Sequence, residues 1–363
     1  MERNAADHAP ENRLDHLDGL RAIAAIYVMC AHGLSEQRLA IFSYAHAAVT
    51  VFIVLSGFCL MLPVARSGDQ KGGIIAFFIR RGRRILPPYY AAFALCIAAA
   101  PLAAQAPPAR DFPRSFAEHL FLTHDFGPFP YAISAPLWSV AVEWHIYLIF
   151  PVLAWAALRW GPIKMAAGAL LLSLAAEHWS PLKSPSMHYY GDFAIGAAGA
   201  FIAYSQETLS RSIRNQTRWP IFAGLIAVAM GVSLTALGAE RYETIRDIVD
   251  LPISLMTVAV LIACAVPGGE RCRRILSRTW LAGLGSFSYS IYLIHAPVLA
   301  VIHHFAPISG TETAATVVGI LELPIVVAAA FVFYWIFERP FTVKGARSPA
   351  LKTASLTSAS DRR

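Results

Sequence analysis

Charge is what this chain has least of. Asp, Glu, Lys and Arg together make 15% of its 363 residues, hydrophobic residues make 56%, and mean hydropathy is +0.52, a balance that excludes an ordinary soluble domain. Cysteine is sparse as well. Cys30, Cys59, Cys96, Cys264 and Cys272 lack the paired spacing of a metal centre, so neither a zinc site nor a disulfide framework is expected. There is no internal repeat of the kind that marks duplicated transporter halves, and no cleavable signal is expected before the first apolar run.

Long apolar runs are what the chain does have. Asking for about 20 mostly apolar residues per span gives about ten candidates. Their approximate bounds are 18–35, 46–65, 86–106, 136–158, 163–180, 188–205, 219–238, 249–267, 280–303 and 314–337, with Glu177, His178 and Asp192 interrupting or bordering the fifth and sixth. An even number of spans puts both ends on one side. With the amino terminus inside, the outer segments hold only Arg38, Arg110, Arg114, Lys183, Arg241 and Arg246, and nearly all the other basic residues fall inside. The net charge of +7 therefore needs no nucleic-acid partner. The expected fold is all-α, a polytopic membrane helical bundle of about ten transmembrane helices. A polar cytosolic tail is expected over 1–17, a membrane domain over 18–341 and a disordered cytosolic tail over 342–363.

The first span carries the most informative pair. Arg21 and His32 are eleven residues apart, so at about 100° per residue they project from one face, about 16.5 Å apart along the axis. An arginine in hydrocarbon costs roughly 2.5–3.5 kcal/mol on insertion scales, so this stripe should face a protein interior or an aqueous cavity. Orientation turns position into depth. Arg21 falls near the inner boundary, while His32, Glu143, His145 and His295 reach the outer half from three different spans. Glu143 and His145 are about 200° apart around their helix and do not share a face. Ser56 and Gly57 lie near mid-depth, where a Ser-Gly pair permits close helix approach and the hydroxyl can bond across it.

At the inner entrance of the third span, Arg80, Arg81, Arg83 and Arg84 cluster. Arg81 and Arg84 share a helix face, as do Arg80 and Arg84, and such forks suit bidentate phosphate contacts. The positive-inside rule and anionic headgroups of membrane lipid favour the same cluster. A phosphate-binding inner mouth below a layer of imidazole and carboxylate suggests group transfer from a phosphate-bearing cytosolic donor to a hydroxyl.

The motifs resemble those of the acyltransferase 3 family of integral membrane O-acyltransferases. The resemblance rests, in order, on Leu17-Asp18-Gly19-Leu20-Arg21 with His32, Phe52 to Phe58, Arg81-x-x-Arg84-Ile85 with Pro87 and Tyr89, Trp138-Ser139-Val140-x-x-Glu143 with Tyr147 and Pro151, Ser288 to His295 with Pro297, and Glu338-Arg339-Pro340. It implies transfer of an acyl group, commonly acetyl from acetyl-coenzyme A, to a carbohydrate or other hydroxyl. No permanently bound cofactor is implied, acyl-CoA being a substrate. The setting it implies is a bacterial inner membrane with both termini cytosolic.

Within that frame His32 is the expected base, Glu143 its orienting or proton-handling carboxylate, and Arg21 a contact to the donor's phosphate or carbonyl. Each has a plainer reading: a helix-locking histidine, a paired acid, an arginine held by Asp18 or snorkelling to the surface. Arg80, Arg81 and Arg84 are the expected donor phosphate ligands. Ser56, Trp138, Tyr292 and His295 are candidate substrate contacts, with packing as the alternative for each. The Pro- and aromatic-rich segment from Pro107 to Ala135 is the expected acceptor loop. The competing function is a transporter or flippase of a lipid-linked glycan using the same polar layer.

Overall fold

The computed structural model describes residues 14–34, 42–68, 73–102, 110–128, 130–179, 186–305 and 312–343. The expected tails lie outside these except for 14–17 and 342–343, as do 107–109 and 129 of the expected acceptor loop. Among the described residues the secondary structure is helical throughout, without strands. The long helices are α1 (Asp15–Gly33), α2 (Ala45–Ser67), α3 (Gly73–Ala99), α4 (Leu137–Trp160), α5 (Pro162–Trp179), α6 (His188–Tyr204), α7 (Trp219–Leu237), α8 (Arg246–Ala265), α9 (Ser288–Phe305) and α10 (Glu312–Phe333).

Six of the helical segments are long and apolar enough to cross a membrane by length and composition, and seven if the bent α9 pair counts as one. That is fewer than the expected ten. Of the helices that fall short, α1 carries Asp15, Asp18 and Arg21, α5 carries Lys164, Glu177 and His178 in its 18 residues, and α6 has only 17 residues. Apolar side chains nonetheless point outward along the bundle. Leu171, Leu172, Leu225, Val228 and Leu321 are all exposed, as a surface in contact with lipid requires.

Two boundaries differ from the hydropathy reading. The third helix starts at Gly73, so Arg80, Arg81, Arg83 and Arg84 lie within α3 and do not precede a span beginning at 86. A hydropathy window excludes charged turns even when the helix runs through them. The ninth run is two helices, Thr279–Gly285 and Ser288–Phe305, bent by 67°. The bend falls at Gly285-Ser286-Phe287, where glycine and serine are weak helix formers.

Small residues set the central packing. α2 lies directly against α6, where a Cβ on Gly57 would strike the Phe193 carbonyl and one on Gly196 would strike that of Val54. This close approach turns the α2 face next to Gly57, and with it Ser56, toward α4.

Candidate active site

Arg21 of α1, Ser56 and Cys59 of α2, Arg81 and Arg84 of α3, Glu143 and Tyr147 of α4, and Tyr289 and Tyr292 of α9 line one cavity of about 120 Å³. The arginine-rich half is bound by short polar contacts. Arg21 Nη1 pairs with Asp18 Oδ1 at 2.8 Å and its Nη2 reaches Cys59 Sγ at 3.1 Å. The Tyr147 hydroxyl donates to Glu143 and accepts from Ser56 at 3.0 Å, and the Arg81 guanidinium stands 5.8 Å from the centre of the Tyr147 ring. Glu143 lies within electrostatic reach of both Arg21 and Arg81.

A third acid joins this half. Glu338 is buried, accepts from Ser290 Oγ at 2.5 Å and lies within reach of the charges of Arg84 and Arg21. The cavity thus balances Arg21, Arg81 and Arg84 against Asp18, Glu143 and Glu338. Arg80 and Arg83 are exposed on the same turns of α3, outside the lining.

His32 lines a different and larger cavity, of about 550 Å³, with Cys96 of α3, Ile133 to Ala135 of the expected acceptor loop, and His303 and His304 of α9. Its Nδ1 lies 2.8 Å from the Val28 carbonyl. A carbonyl can only accept, so Nδ1 carries the proton of the neutral ring and the lone pair falls on Nε2, the tautomer a base needs. His303 Nε2 is 3.1 Å from the buried Glu322 carboxylate. A Cβ on Gly33, the residue after His32, would lie 3.8 Å from the same carboxylate.

A narrow wall separates the two cavities. His295 is fully buried with its ring centre 5.0 Å from that of His32 and 5.9 Å from that of Tyr292, which faces the arginine cavity. The His295 Nδ1 donates to the Tyr292 and Ile291 carbonyls at 2.8 and 3.2 Å, and the Tyr292 hydroxyl meets Ser139 Oγ at 2.6 Å.

The structure therefore brings Arg21, Ser56, Arg81, Arg84, Glu143 and Tyr292 together, sets His32 beside His295, and leaves Arg80 outside. Trp138 is buried among the rings of His46, Tyr131 and Tyr189 and lines neither cavity. Glu143 and His32 line different cavities, and the carboxylate at the level of His32 is that of Glu322. Glu322 carries the same sequence signal as Glu143, an acid inside an apolar run, and Glu338 stands in the sequence only as part of the closing motif Glu338-Arg339-Pro340.

Fold and site together define an integral membrane protein with ionisable groups gathered inside a helical bundle. The family model described as Acyltransferase domain matches residues 14–339, and the chain belongs to that acyltransferase family. Peptidoglycan O-acetyltransferase OatA of Listeria monocytogenes is 26% identical over 321 residues, covering 78% of this chain and 49% of that protein. YrhL of Bacillus subtilis, provisionally named a peptidoglycan O-acetyltransferase, is 25% identical over 92% of this chain and 55% of its own length. The chain spans about half the length of these curated relatives. No solved structure matches it significantly.

Proposed function

We propose that this chain is a membrane O-acetyltransferase that takes its acyl group from acyl-CoA on the cytosolic side and delivers it to a carbohydrate hydroxyl at the other face. The supporting observation is the pairing of two cavities, one lined by arginines and one by His32, across the single layer formed by Tyr292 and His295. A cavity of about 120 Å³ is too small for a nucleotide but suits a thioester arm. The donor's phosphates then stay at the mouth, where Arg84 and the exposed Arg80 and Arg83 stand, while Arg81 and Arg21 face inward. The 550 Å³ cavity suits a sugar ring.

In the reaction, the acceptor O–H gives its proton to His32 Nε2 as its oxygen attacks the thioester carbonyl. The C–O bond forms, the C–S bond breaks, and the departing thiolate is protonated to free CoA thiol. Direct transfer requires the thioester arm to pass Tyr292. The peptidoglycan named for the relatives makes a cell-wall glycan the acceptor to try first. Basic residues on the arginine side favour cytosolic termini and the inner membrane of a bacterium.

Purified chain in detergent, given labelled acetyl-CoA and glycan oligomers, should release CoA thiol and label the glycan in equal amounts. Movement of a lipid-linked glycan across vesicles without thioester consumption would instead make this chain a flippase.

A further inference from the structure

The polar residues that interrupt the fifth and sixth apolar runs take no part in the proposed acetyl transfer, yet they converge. His188 opens α6 and Asp192 follows one turn later on the same face. Asp250 lies in the first turns of α8, and Glu177 lies in the last turn of α5. His188, Asp192 and Asp250 are 1%, 2% and 0% exposed, and none of them lines either cavity.

Their contacts fix what each group offers. His188 Nδ1 is 3.4 Å from Glu177 Oε2, to which the His188 backbone N–H also donates at 3.0 Å. On the other side of the ring, Nε2 is 3.2 Å from Asp250 Oδ2. The Tyr242 hydroxyl donates to Asp250 Oδ1 at 2.9 Å and Ser254 donates to Asp192 Oδ1 at 2.8 Å, while Asp192 Oδ2 has no partner among the described residues. With Nδ1–H turned to Glu177, Nε2 stands against a carboxylate oxygen, so this contact holds either a second ring N–H or a cation shared by the Nε2 lone pair and that oxygen.

Distance and charge both suit an ion. One ligand atom from each of His188, Asp192 and Asp250 lies within 4.8 Å of the others. Ligands about 2.0–2.2 Å from a common ion stand roughly 3–4 Å apart, so small side-chain adjustments close the set. With its three carboxylates ionised beside one imidazole, even a charged ring would leave net negative charge in this site, which is costly away from water and which a bound cation would offset. Arg246, one turn before Asp250, pairs with Glu243 at 3.6 Å.

We propose that His188, Asp192 and Asp250 bind one divalent metal ion of the zinc or manganese type. Glu177 then orients the imidazole through Nδ1–H, the usual partner of a metal-bound histidine, while Ser254 and Tyr242 hold the two carboxylates. One nitrogen with two carboxylate oxygens is a donor set those ions accept. The ion fastens the ends of α5, α6 and α8 together behind Tyr189, whose ring lies 5.6 Å from that of Trp138.

The full chain, stripped with EDTA in detergent, equilibrated with Zn²⁺ or Mn²⁺ and desalted, should retain about one ion per chain by elemental analysis, and its thermal unfolding midpoint should rise when the ion is restored. Asp192→Asn, which still accepts the Ser254 hydroxyl, and His188→Gln should each lower retention about tenfold or more. Folded wild type that retains neither ion overturns the assignment and makes the cluster a proton-sharing network; undiminished retention in both variants overturns it equally. Should the variants not fold, chelator titration of the wild type decides, since a midpoint that EDTA leaves unmoved refutes the site.

Discussion

The arginine cavity and the histidine cavity share walls from α1, α3 and α9, yet they handle charge in opposite ways. Around Arg21, each guanidinium has a carboxylate within electrostatic reach in a space of about 120 Å³. Around His32, a space of about 550 Å³ is lined by imidazoles with one buried acid, Glu322, behind them. Permanent charge suits a site that holds an anion of fixed geometry, whereas neutral imidazole suits a site where a proton must change hands. On the proposed function, the first cavity binds the donor and the second carries the reaction.

The sharpest way to break that division is His32→Ala. His32 is exposed to its cavity, so its removal should leave the fold intact and lower acetyl transfer by about 10²–10⁴-fold, the range of a general base, with the KM for acyl-CoA little changed. Turnover at the wild-type level in a folded variant would move the chemistry elsewhere. The complementary variant is Arg81→Ala. Loss of a charge-assisted contact should raise the KM for acyl-CoA about 10–100-fold with a smaller effect on kcat, and an unchanged KM would return the arginines to a role in membrane orientation.

The two cavities also differ in how legible they were. Arg21, Arg81 and Arg84 stood out because charge in or beside an apolar run is costly and because i, i+3 spacing puts two forks on one face. Which helices then meet is tertiary information. The i, i+4 spacing puts Tyr147 within reach of Glu143, but nothing in it says that Ser56 from α2 extends that pair, or that Glu322 from α10 serves the level of His32. Glu338 was hidden for a local reason. The turn over Tyr334–Glu338 is a π-helix, and its extra residue rotates the facing of the residues beyond it by about 100°, which a 3.6-residue period does not register. The helical class and most helix positions were readable from apolar length, but the broken ninth run was not, since a window average runs across a two-residue break.

The wall of the histidine cavity gives a smaller test. In the segment before Ile133, His119 and His124 form a stacked pair with ring centres 3.8 Å apart and both side chains buried. Burial first, and then the neighbouring His119, lower the His124 pKa from 6.5 to about 3, and burial lowers that of His119 as well. The unfolded segment therefore binds more protons between about pH 3 and 6.5, so local stability is full above 6.5 and falls as the pH drops through that window. The slope for one histidine is about 1.4 kcal/mol per pH unit. Hydrogen exchange of residues 112–126, corrected for intrinsic rates, should speed up at pH 5.5 relative to 7.5, and His124→Phe should flatten the response. Protection independent of pH would show that the pair is solvated.

The smallest expected effect tests the charge balance of the arginine cavity itself. Glu338→Gln keeps a side chain able to accept from Ser290 and removes the negative charge next to Arg84. If that carboxylate only fixes the guanidinium, the variant loses order and the KM for acyl-CoA rises. If it competes with the donor's phosphates for the same cation, the KM falls about threefold, a difference well under 1 kcal/mol. The second outcome is expected, because Ser290 holds the Glu338 side chain whether or not it is charged, and Arg84 is exposed at the mouth where phosphate arrives. A raised KM would mean that the inner cavity depends on its acids for shape and would leave donor binding to Arg81 and Arg21.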